Sequence, residues 1–248
     1  MSQTTPPTED DQQAPARPWS QPRFLLAAAG LALLVVAAVV LAVLPPNDDE
    51  QPAPAPSTTA SAAPTVGGQD ASVCGLPEGD QAVPVVPPSG TSWDLVGTMA
   101  APSAPSTLGP GVDTAGLRSC YARSPLGALY AATGFLAATT DPALRLPAFQ
   151  ELTLPSPGQQ RALDMLTGAD PGGAGSGVQI AGFSFLNYDT TSAVIDVALR
   201  VEATPVHLPV TVRWSGGDWK VVLPDTGQPY EAIQPLPNLT GYAPWSGA

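Results

Sequence analysis

The sequence predicts an α+β domain in which helices pack on one face of a curved, antiparallel, four-stranded sheet. Capped helical segments lie between residues 125 and 167, and strands with alternating apolar residues follow from about residue 178. An uncharged apolar run near the N-terminus adds a transmembrane helix, and a Pro-rich stretch adds a disordered linker in front of the domain.

The apolar run occupies residues 24–44. At about 1.5 Å per residue it is long enough to cross the roughly 30 Å hydrocarbon core of a bilayer. A cleaved signal peptide is the alternative. Such a peptide usually has a shorter apolar core, and no convincing small-residue cleavage site follows this run. The sequence therefore favours an uncleaved, single-pass transmembrane helix.

The orientation of this helix follows from the basic residues beside it. Arg17 and Arg23 precede the run, and no basic residue follows it before Arg118. The positive-inside rule then places the N-terminus in the cytoplasm and the C-terminal domain outside the cell membrane. Residues 1–23 are polar and Pro-rich, which predicts a disordered cytoplasmic tail.

The rest of the chain divides into three parts by composition. Residues 45–72 are rich in Pro, Ala, Ser and Thr, which predicts a disordered linker. Residues 73–230 form the predicted extracytoplasmic α+β domain, and residues 231–248 are a Pro-rich C-terminal tail. Tyr242 and Trp245 of the tail could anchor a partner or pack back over the domain, and both interpretations stay open.

The two cysteines of the chain, Cys74 and Cys120, both lie in the external part. An oxidising compartment and an even number of cysteines favour a disulfide between them. Two buried free thiols are the alternative. Residues 73–110 are otherwise loop-rich, with one predicted strand near residues 93–99.

The first domain helix is predicted to begin at Ser124 and Pro125, an N-cap residue followed by proline in the first turn. Its apolar face carries Leu126, Leu129, Tyr130, Thr133 and Ala137, and its small residues Gly127, Ala131, Gly134 and Ala138 form a second stripe. Such a stripe suits a helix packed closely against a sheet. Helix pairing in a membrane is the alternative.

Two further helices are predicted after the first. One begins at Asp141-Pro142 and is interrupted at Pro147. The other begins at Ser156-Pro157, carries Leu163 and Leu166, and is predicted to end near Gly168.

The end of the sheet is predicted from a hairpin. Gly216-Gly217 can form a two-residue turn that pairs Trp214 with Trp219, so both tryptophans belong to the hairpin core. The same turn pairs Val212 with Val221 and Val210 with Leu223.

A second turn is predicted at Ala203-Thr204. It pairs Val201 with Val206, Leu199 with Leu208, Val197 with Val210, and Ile195 with Val212. This register places His207 on the outer face across from Arg200. A further strand before these two places Phe183 and Phe185 on the core side, which completes the four-stranded meander.

Three stretches of this domain carry a family resemblance: "YARSPLGALYAATGFL", "GFSFLNYDTTSAVIDVALR" and "VTVRWSGGDWKVVLP". Helices followed by a long meander that ends in such a hairpin resemble the cone-shaped nuclear-transport-factor-two-like fold. The stretches resemble a family of uncharacterised actinobacterial single-pass membrane proteins. That family is similar in architecture to assembly components of type IV secretion and conjugation machines. The resemblance covers about residues 74–230. In a cone of this kind we expect Trp214 and Trp219 to cap the open end.

The sequence predicts no catalytic, cofactor-binding or metal-binding residues, and we expect a protein that is not an enzyme. His207 is the single histidine, and its place on the outer face favours a solvated side chain over a catalytic one. Tyr130 and Asp164 could line a pocket, although packing roles are favoured. The net charge of −12 argues against nucleic-acid binding, which needs a basic surface.

Two functions are consistent with these observations. The first is a membrane-anchored, extracytoplasmic scaffold or assembly protein with partners in the cell envelope, in a conjugation or secretion apparatus. The second is an extracytoplasmic module that binds a small apolar ligand. A sizeable, open, apolar cavity on the concave face of the sheet would favour the ligand, and a filled core would favour the scaffold.

Overall fold

An antiparallel sheet and three helices make up the domain in a computed structural model that describes residues 71–168 and 177–247. The predicted transmembrane helix at residues 24–44, the cytoplasmic tail and nearly all of the linker lie outside the described residues. No helix within the described residues is long and apolar enough to cross a membrane. The α+β class, with helices beside antiparallel strands, is confirmed.

The central sheet contains a four-stranded meander, as predicted. Its strands run antiparallel in chain order, and two short strands from the C-terminal segment extend it. The meander strands are β5 (Val178–Asp189), β6 (Ser192–Val201), β7 (Thr204–Ser215) and β8 (Asp218–Val221). β9 (Gln234–Pro235) pairs with β7, and β10 (Ala243–Pro244) pairs with β5.

The hairpin between β7 and β8 has the predicted register. Trp214 lies opposite Trp219, and Val212 lies opposite Val221. Gly216 and Gly217 both have positive φ angles, +63° and +81°, which glycine adopts without a steric cost. β8 ends at Val221, so the expected strand pair of Val210 with Leu223 is not formed.

The predicted register between β6 and β7 is wrong by two residues. Val201 lies opposite Thr204, and Leu199 lies opposite Val206, so the turn consists of Glu202 and Ala203. Glu202 has a φ of +56°, a left-handed conformation that is uncommon for a residue other than glycine. Because side chains alternate with a period of two, this slip leaves every apolar residue on its predicted face.

The three helices begin where their capping residues predict. They are α1 (Pro125–Thr139), α2 (Pro142–Glu151) and α3 (Pro157–Thr167). The side chains of Ser124, Asp141 and Ser156 accept hydrogen bonds from backbone N–H groups in the first turns, at 2.8–3.1 Å. α2 continues through Pro147 and is not interrupted there. Burial of Ala148 and Phe149 in the core supports its second half despite the lost N–H donor.

α1 lies between the central sheet and two small hairpins that precede it. The hairpins join β1 (Ser92–Val96) to β2 (Met99–Ser103) and β3 (Val112–Thr114) to β4 (Leu117–Ser119). α1 contacts β2 and β4 as well as β6, β7 and β8, so it is buried on nearly every side. The sequence predicted one strand, near residues 93–99, before α1. The described residues before α1 form four strands.

Two glycines of the small-residue stripe allow the chain segment after β4 to approach α1 closely. A Cβ atom at Gly127 would lie 1.9 Å from the carbonyl oxygen of Ala122. A Cβ atom at Gly134 would lie 2.5 Å from the hydroxyl of Tyr121. At these two positions, α1 therefore packs closely against the chain segment that follows β4.

Candidate functional site

A cavity of about 520 Å³ opens beside the C-terminal end of α1. We call it the mouth cavity. Its volume lies within the range of roughly 300–1,000 Å³ that is usual for small-molecule sites. It is lined by residues at the end of α1, by α2 and α3, by the first residue of β5 and by the segment at residues 227–231. The apolar part of its lining consists of Phe149, Ala162, Met165, Leu166, Val178 and Pro229.

Polar groups are gathered on the wall that the end of α1 contributes. Thr139 Oγ1 donates to the carbonyl of Leu136 at 2.7 Å and also hydrogen-bonds the hydroxyl of Tyr230. Arg145 Nε donates to the carbonyl of Thr139 at 3.1 Å, which satisfies one of the carbonyls left open at the helix end. Thr140 also lines the cavity. Hydroxyl and guanidinium groups therefore meet at one side of an otherwise apolar space.

Tyr230 is the polar group that the C-terminal part of the chain adds to this wall. Desolvation by burial raises the pKa of its hydroxyl, and the hydrogen bond to Thr139 opposes that rise to a smaller extent. The hydroxyl is therefore protonated at neutral pH and can donate a hydrogen bond.

A second cavity of about 240 Å³ lies further along α1. It adjoins the edge of β7 between the segment that pairs with β8 and the segment that pairs with β9. We call it the edge cavity. Phe135 and Leu136 of α1 line it, together with Leu208 and Val210 of β7 and Leu223. Residues 229, 231 and 232 form its outer boundary, and residues 229 and 231 also bound the mouth cavity.

Residues 227–232 therefore cross between the two cavities, and we call this segment the strap. Gly227 is buried, with a φ of +76°, and a Cβ atom there would lie 2.7 Å from the amide nitrogen of Ala162. The strap is thus held tightly against α3 at its first residue. Tyr230, by contrast, is 41% exposed.

Comparison with known families identifies the domain at the level of family. A family model described as a domain of unknown function, DUF8175, matches residues 53–244. The chain belongs to the DUF8175 family. No curated protein and no solved structure matches the chain. The two cavities and the strap all lie within the DUF8175 region.

The start of the described part of the DUF8175 domain is held by Cys74 and Cys120, which form a disulfide with a Cα–Cα distance of 6.1 Å. Ser72, which the sequence assigned to the linker, is buried, and its hydroxyl donates to the carbonyl of Tyr121 at 3.1 Å. The amide of Val73 donates to the carbonyl of Gly217 at 2.8 Å. Ordered packing thus begins before the predicted boundary at residue 73.

We expect the disulfide to be present in protein isolated without a reducing agent. Peptide mass spectrometry without reduction should find one cross-linked peptide containing Cys74 and Cys120 and no alkylated thiol. A C74S variant supplies the matched control, because it should leave Cys120 as a free thiol that alkylates only after unfolding. Alkylation of both cysteines in the unreduced wild-type protein would contradict the expectation.

Trp214 and Trp219, the predicted hairpin core, are both buried, with ring centroids 5.4 Å apart. The indole Nε1 of Trp219 donates to the carbonyl of Ala122 at 2.9 Å, just before α1 begins. The mouth cavity lies at the other end of α1, about 20 Å away along the helix axis. The two tryptophans and the mouth cavity therefore lie at opposite ends of α1.

Asp218 is a structural residue that the sequence did not reveal. Its buried carboxylate accepts hydrogen bonds from the backbone N–H groups of Cys120 at 3.0 Å and Tyr121 at 2.9 Å. It also accepts from the N–H of Trp219 at 2.9 Å, and Lys220 Nζ lies 3.3 Å away. The hairpin turn thus binds the segment that contains the disulfide.

The C-terminal tail packs back over the domain, which is the second of the two alternatives for its aromatic residues. Trp245 is only 6% exposed, and its ring centroid lies 4.7 Å from Trp93 and 5.5 Å from Phe183. Tyr242 donates its hydroxyl proton to Asp196 Oδ2 at 2.6 Å. Trp245 is therefore a core residue of the domain and is not available as a partner-binding anchor.

The incorrect register placed His207 across from Arg200, but the two residues are not opposite each other. His207 lies opposite Ala198, and its Nδ1 atom is 3.0 Å from both carboxylate oxygens of Asp196. Asp196 therefore joins His207 and Tyr242 on the outer face of the sheet. The sequence missed the His207–Asp196 contact because the predicted register was wrong, and it missed the Tyr242 contact because that contact depends on the fold of the tail.

Tyr130 and Asp164 do not meet. The hydroxyl of Tyr130 hydrogen-bonds Thr91 Oγ1 at 2.6 Å, whereas Asp164 accepts from Gln160 on an exposed helix surface. Within residues 71–168 and 177–247, no group of three or more His, Cys, Asp or Glu side chains could hold a metal ion. No residue of the mouth cavity was predicted as a site residue from the sequence.

Proposed function

We propose that this protein is a membrane-anchored, extracytoplasmic module that binds a small apolar ligand in the mouth cavity. The observation that carries the proposal is the cavity itself: about 520 Å³ of mostly apolar space with a few hydrogen-bonding groups on one wall. Well-formed apolar cavities with a few convergent polar groups are the usual form of small-molecule sites. The core between α1 and the sheet is filled elsewhere by fully buried side chains, among them Leu129, Phe135 and Ile195.

The membrane anchor and the overall shape are part of this proposal. The uncharged run at residues 24–44 and the preceding Arg17 and Arg23 support a single-pass helix with the N-terminus in the cytoplasm. A meander of four strands with helices against one face is consistent with a cone-shaped, nuclear-transport-factor-two-like domain. In such a domain the ligand would enter beside the end of α1.

We expect this topology to be visible by proteolysis. Protease added to intact, wall-stripped cells should remove the C-terminal domain and spare a tag placed before residue 1. Permeabilised cells provide the control, since both ends should then be cleaved. A soluble, secreted form that lacks residues 1–44 would contradict the anchor.

Ligand binding can be tested by photolabelling the full chain in lipid nanodiscs with a compact, neutral, apolar diazirine probe. We expect saturable labelling of peptides that contain Met165 and Tyr230, which line the cavity. Leu95 and Val85 supply the internal control, because they are apolar and 76% and 84% exposed but line no part of the mouth cavity. If the extent of labelling depends only on exposure, so that Leu95 and Val85 are labelled more than Met165, the proposal is contradicted.

A scaffold role in a conjugation or secretion apparatus is the second candidate. One feature favours it: Val83, Val85 and Val86 are exposed on a Pro-flanked segment, which would suit contact with an envelope protein. A membrane pull-down with wild-type bait and with V85S/V86S bait would test it. Loss of a co-purifying envelope protein in the variant would support the role, and identical recovery with both baits would count against it.

A further inference from the structure

The direction of the hydrogen bond between Tyr230 and Thr139 decides what the mouth cavity offers to a ligand. A threonine hydroxyl has one proton, and Thr139 donates its proton to the carbonyl of Leu136 at 2.7 Å. Thr139 Oγ1 is therefore the acceptor in its bond with Tyr230, and the phenol is the donor. The proton of Tyr230 is thus already used within the protein, whereas its oxygen can still accept a hydrogen bond.

The other polar groups from α1 and α2 are also engaged. The hydroxyl of Thr140 donates to the carbonyl of Ala137 at 2.7 Å and accepts from the amide of Thr98 at 3.0 Å. Arg145 donates Nε to the carbonyl of Thr139, and its side chain has a further interaction within the protein. We therefore assign no ligand contact to Thr140 or Arg145.

The strap adds acceptors to this wall. Oε2 of Glu231 accepts from Thr226 at 2.6 Å, and Oε1 accepts no hydrogen bond from any residue that the structure describes. The side-chain amide of Gln228, which also lines the cavity, offers both a donor and an acceptor and does not discriminate between ligands. The hydrogen-bonding capacity left open by Tyr230 and Glu231 is therefore that of acceptors.

The strap holds the phenol of Tyr230 in position from both sides. Before Tyr230, the backbone N–H of Gly227 donates to the carbonyl of Pro224 at 2.8 Å, and Gly227 lies against α3. After it, Pro235 pairs with Val206 of β7. The phenol oxygen is thus an acceptor whose position is set before a ligand arrives, which lowers the entropic cost of binding.

The charges around the cavity favour a neutral ligand. Arg145 and Glu231 both line it, so a ligand of either charge would be attracted by one of them and repelled by the other. The rest of the lining, including Phe149, Met165 and Leu166, is apolar and would not replace the hydration of a charged group.

We propose that the mouth cavity takes a compact, neutral ligand that carries a hydrogen-bond donor, with an alcohol as its simplest form. The donor binds the phenol oxygen of Tyr230, and the apolar body of the ligand lies among Phe149, Met165 and Leu166. The Tyr230–Thr139 hydrogen bond stays intact in the complex. This inference rests on the proposed ligand-binding function and adds the chemical class of the ligand.

Competition against the apolar photoprobe tests this inference on the full chain in nanodiscs. The competitors share an adamantyl body and are corrected for partition into empty nanodiscs: 1-adamantanol, 1-methyladamantane, 1-methoxyadamantane, 1-adamantylammonium and 1-adamantanecarboxylate. 1-Methyladamantane has nearly the shape of the alcohol but no donor, and the methoxy compound has only an acceptor. We expect 1-adamantanol to protect Met165 from labelling about fivefold better than either, which is the usual effect of one hydrogen bond. Both ions should compete less well than the alcohol.

Variants of the hydrogen-bonded pair test the direction of the bond. Y230F removes the phenol oxygen, so the alcohol should lose its advantage over 1-methyladamantane. T139V removes the acceptor of the Tyr230 proton, which can then be donated to a ligand. We therefore expect 1-methoxyadamantane to compete at least about threefold better in T139V than in the wild type, with 1-methyladamantane unchanged. T139S retains the acceptor and should behave as the wild type.

The matched control is Y242F. The hydroxyl of Tyr242 donates to Asp196 at 2.6 Å, and Tyr242 does not line the mouth cavity. This variant removes a tyrosine hydroxyl elsewhere in the C-terminal segment and should change none of the ratios.

The outcomes distinguish this inference from the proposed function. Saturable labelling of Met165 with equal competition by 1-adamantanol and 1-methyladamantane would overturn the donor-bearing ligand and leave the apolar ligand site in place. An advantage of the alcohol that persists in Y230F would overturn the role of Tyr230, and stronger competition by either ion would overturn the neutral class. Absence of saturable labelling at Met165 would overturn both proposals.

Discussion

Replacement of Trp219 by alanine is expected to lower the free energy of unfolding by about 3–5 kcal/mol. Trp219 is only 2% exposed and packs edge to face on Trp214, with ring centroids 5.4 Å apart. Truncation would leave a large cavity between the hairpin and the start of α1 and would remove the Nε1 hydrogen bond to Ala122. Equilibrium unfolding in urea, followed by circular dichroism, measures the change.

W219F is the matched control for this substitution. It keeps most of the buried ring and removes the Nε1 donor, so the expected loss is about 1 kcal/mol plus a small packing term. A loss below about 1 kcal/mol for W219A would contradict the structural role of the hairpin. Equal losses for W219A and W219F would show that the hydrogen bond, and not the packing, dominates.

Replacement of Asp218 by alanine should also destabilise the domain strongly, by about 4 kcal/mol. The substitution leaves the buried N–H groups of Cys120, Tyr121 and Trp219 without their acceptor, and each unsatisfied donor costs about 1–3 kcal/mol. Urea unfolding of the oxidised protein gives the size of the effect.

Two further variants show whether the carboxylate itself is responsible. D218N retains one acceptor oxygen and should fall between D218A and the wild type. D225A removes an exposed carboxylate nearby in the chain and should change the stability by less than about 0.5 kcal/mol. If D218A is as stable as D225A, the hydrogen bonds to residues 120 and 121 do not hold the segment in place.

The features predicted correctly from the sequence are those with local causes. Ser124, Asp141 and Ser156 begin their helices because each side chain caps N–H groups two or three residues ahead. Gly216 and Gly217 set the hairpin register because both adopt positive φ angles in a two-residue turn. In each case the interacting groups lie within a few residues of one another.

The features missed or mispredicted depend on contacts between distant segments. The two-residue error in the register of β6 and β7 cannot be recognised from the alternation of apolar and polar residues. A shift by two residues leaves every side chain on the same face of the sheet. The turn that decides it places Glu202 in a left-handed conformation, which sequence preferences disfavour. β10 pairs only two residues with β5, which is too short to produce a periodic signal.

The candidate site was hidden for the same reason. The mouth cavity takes Thr139 from α1, Phe149 from α2, Met165 from α3 and Tyr230 from the strap. None of these residues belongs to a motif, and the cavity exists only after the strap crosses the helices. The presence of an apolar core could be predicted, but not the place at which it is left unfilled.

The central claim is that a ligand occupies the mouth cavity, and the methionines allow a direct measurement. The chain contains three methionines; Met165 lines the cavity, whereas Met99 is fully buried in the core. In ¹³C-methyl-methionine NMR spectra of the full chain in nanodiscs, with signals assigned by M165L and M99L, the compact, neutral, apolar probe should shift the Met165 methyl signal saturably. The Met99 signal should stay in place. A Met165 signal that does not move, or moves only linearly with the amount of probe added, would contradict ligand binding in the mouth cavity.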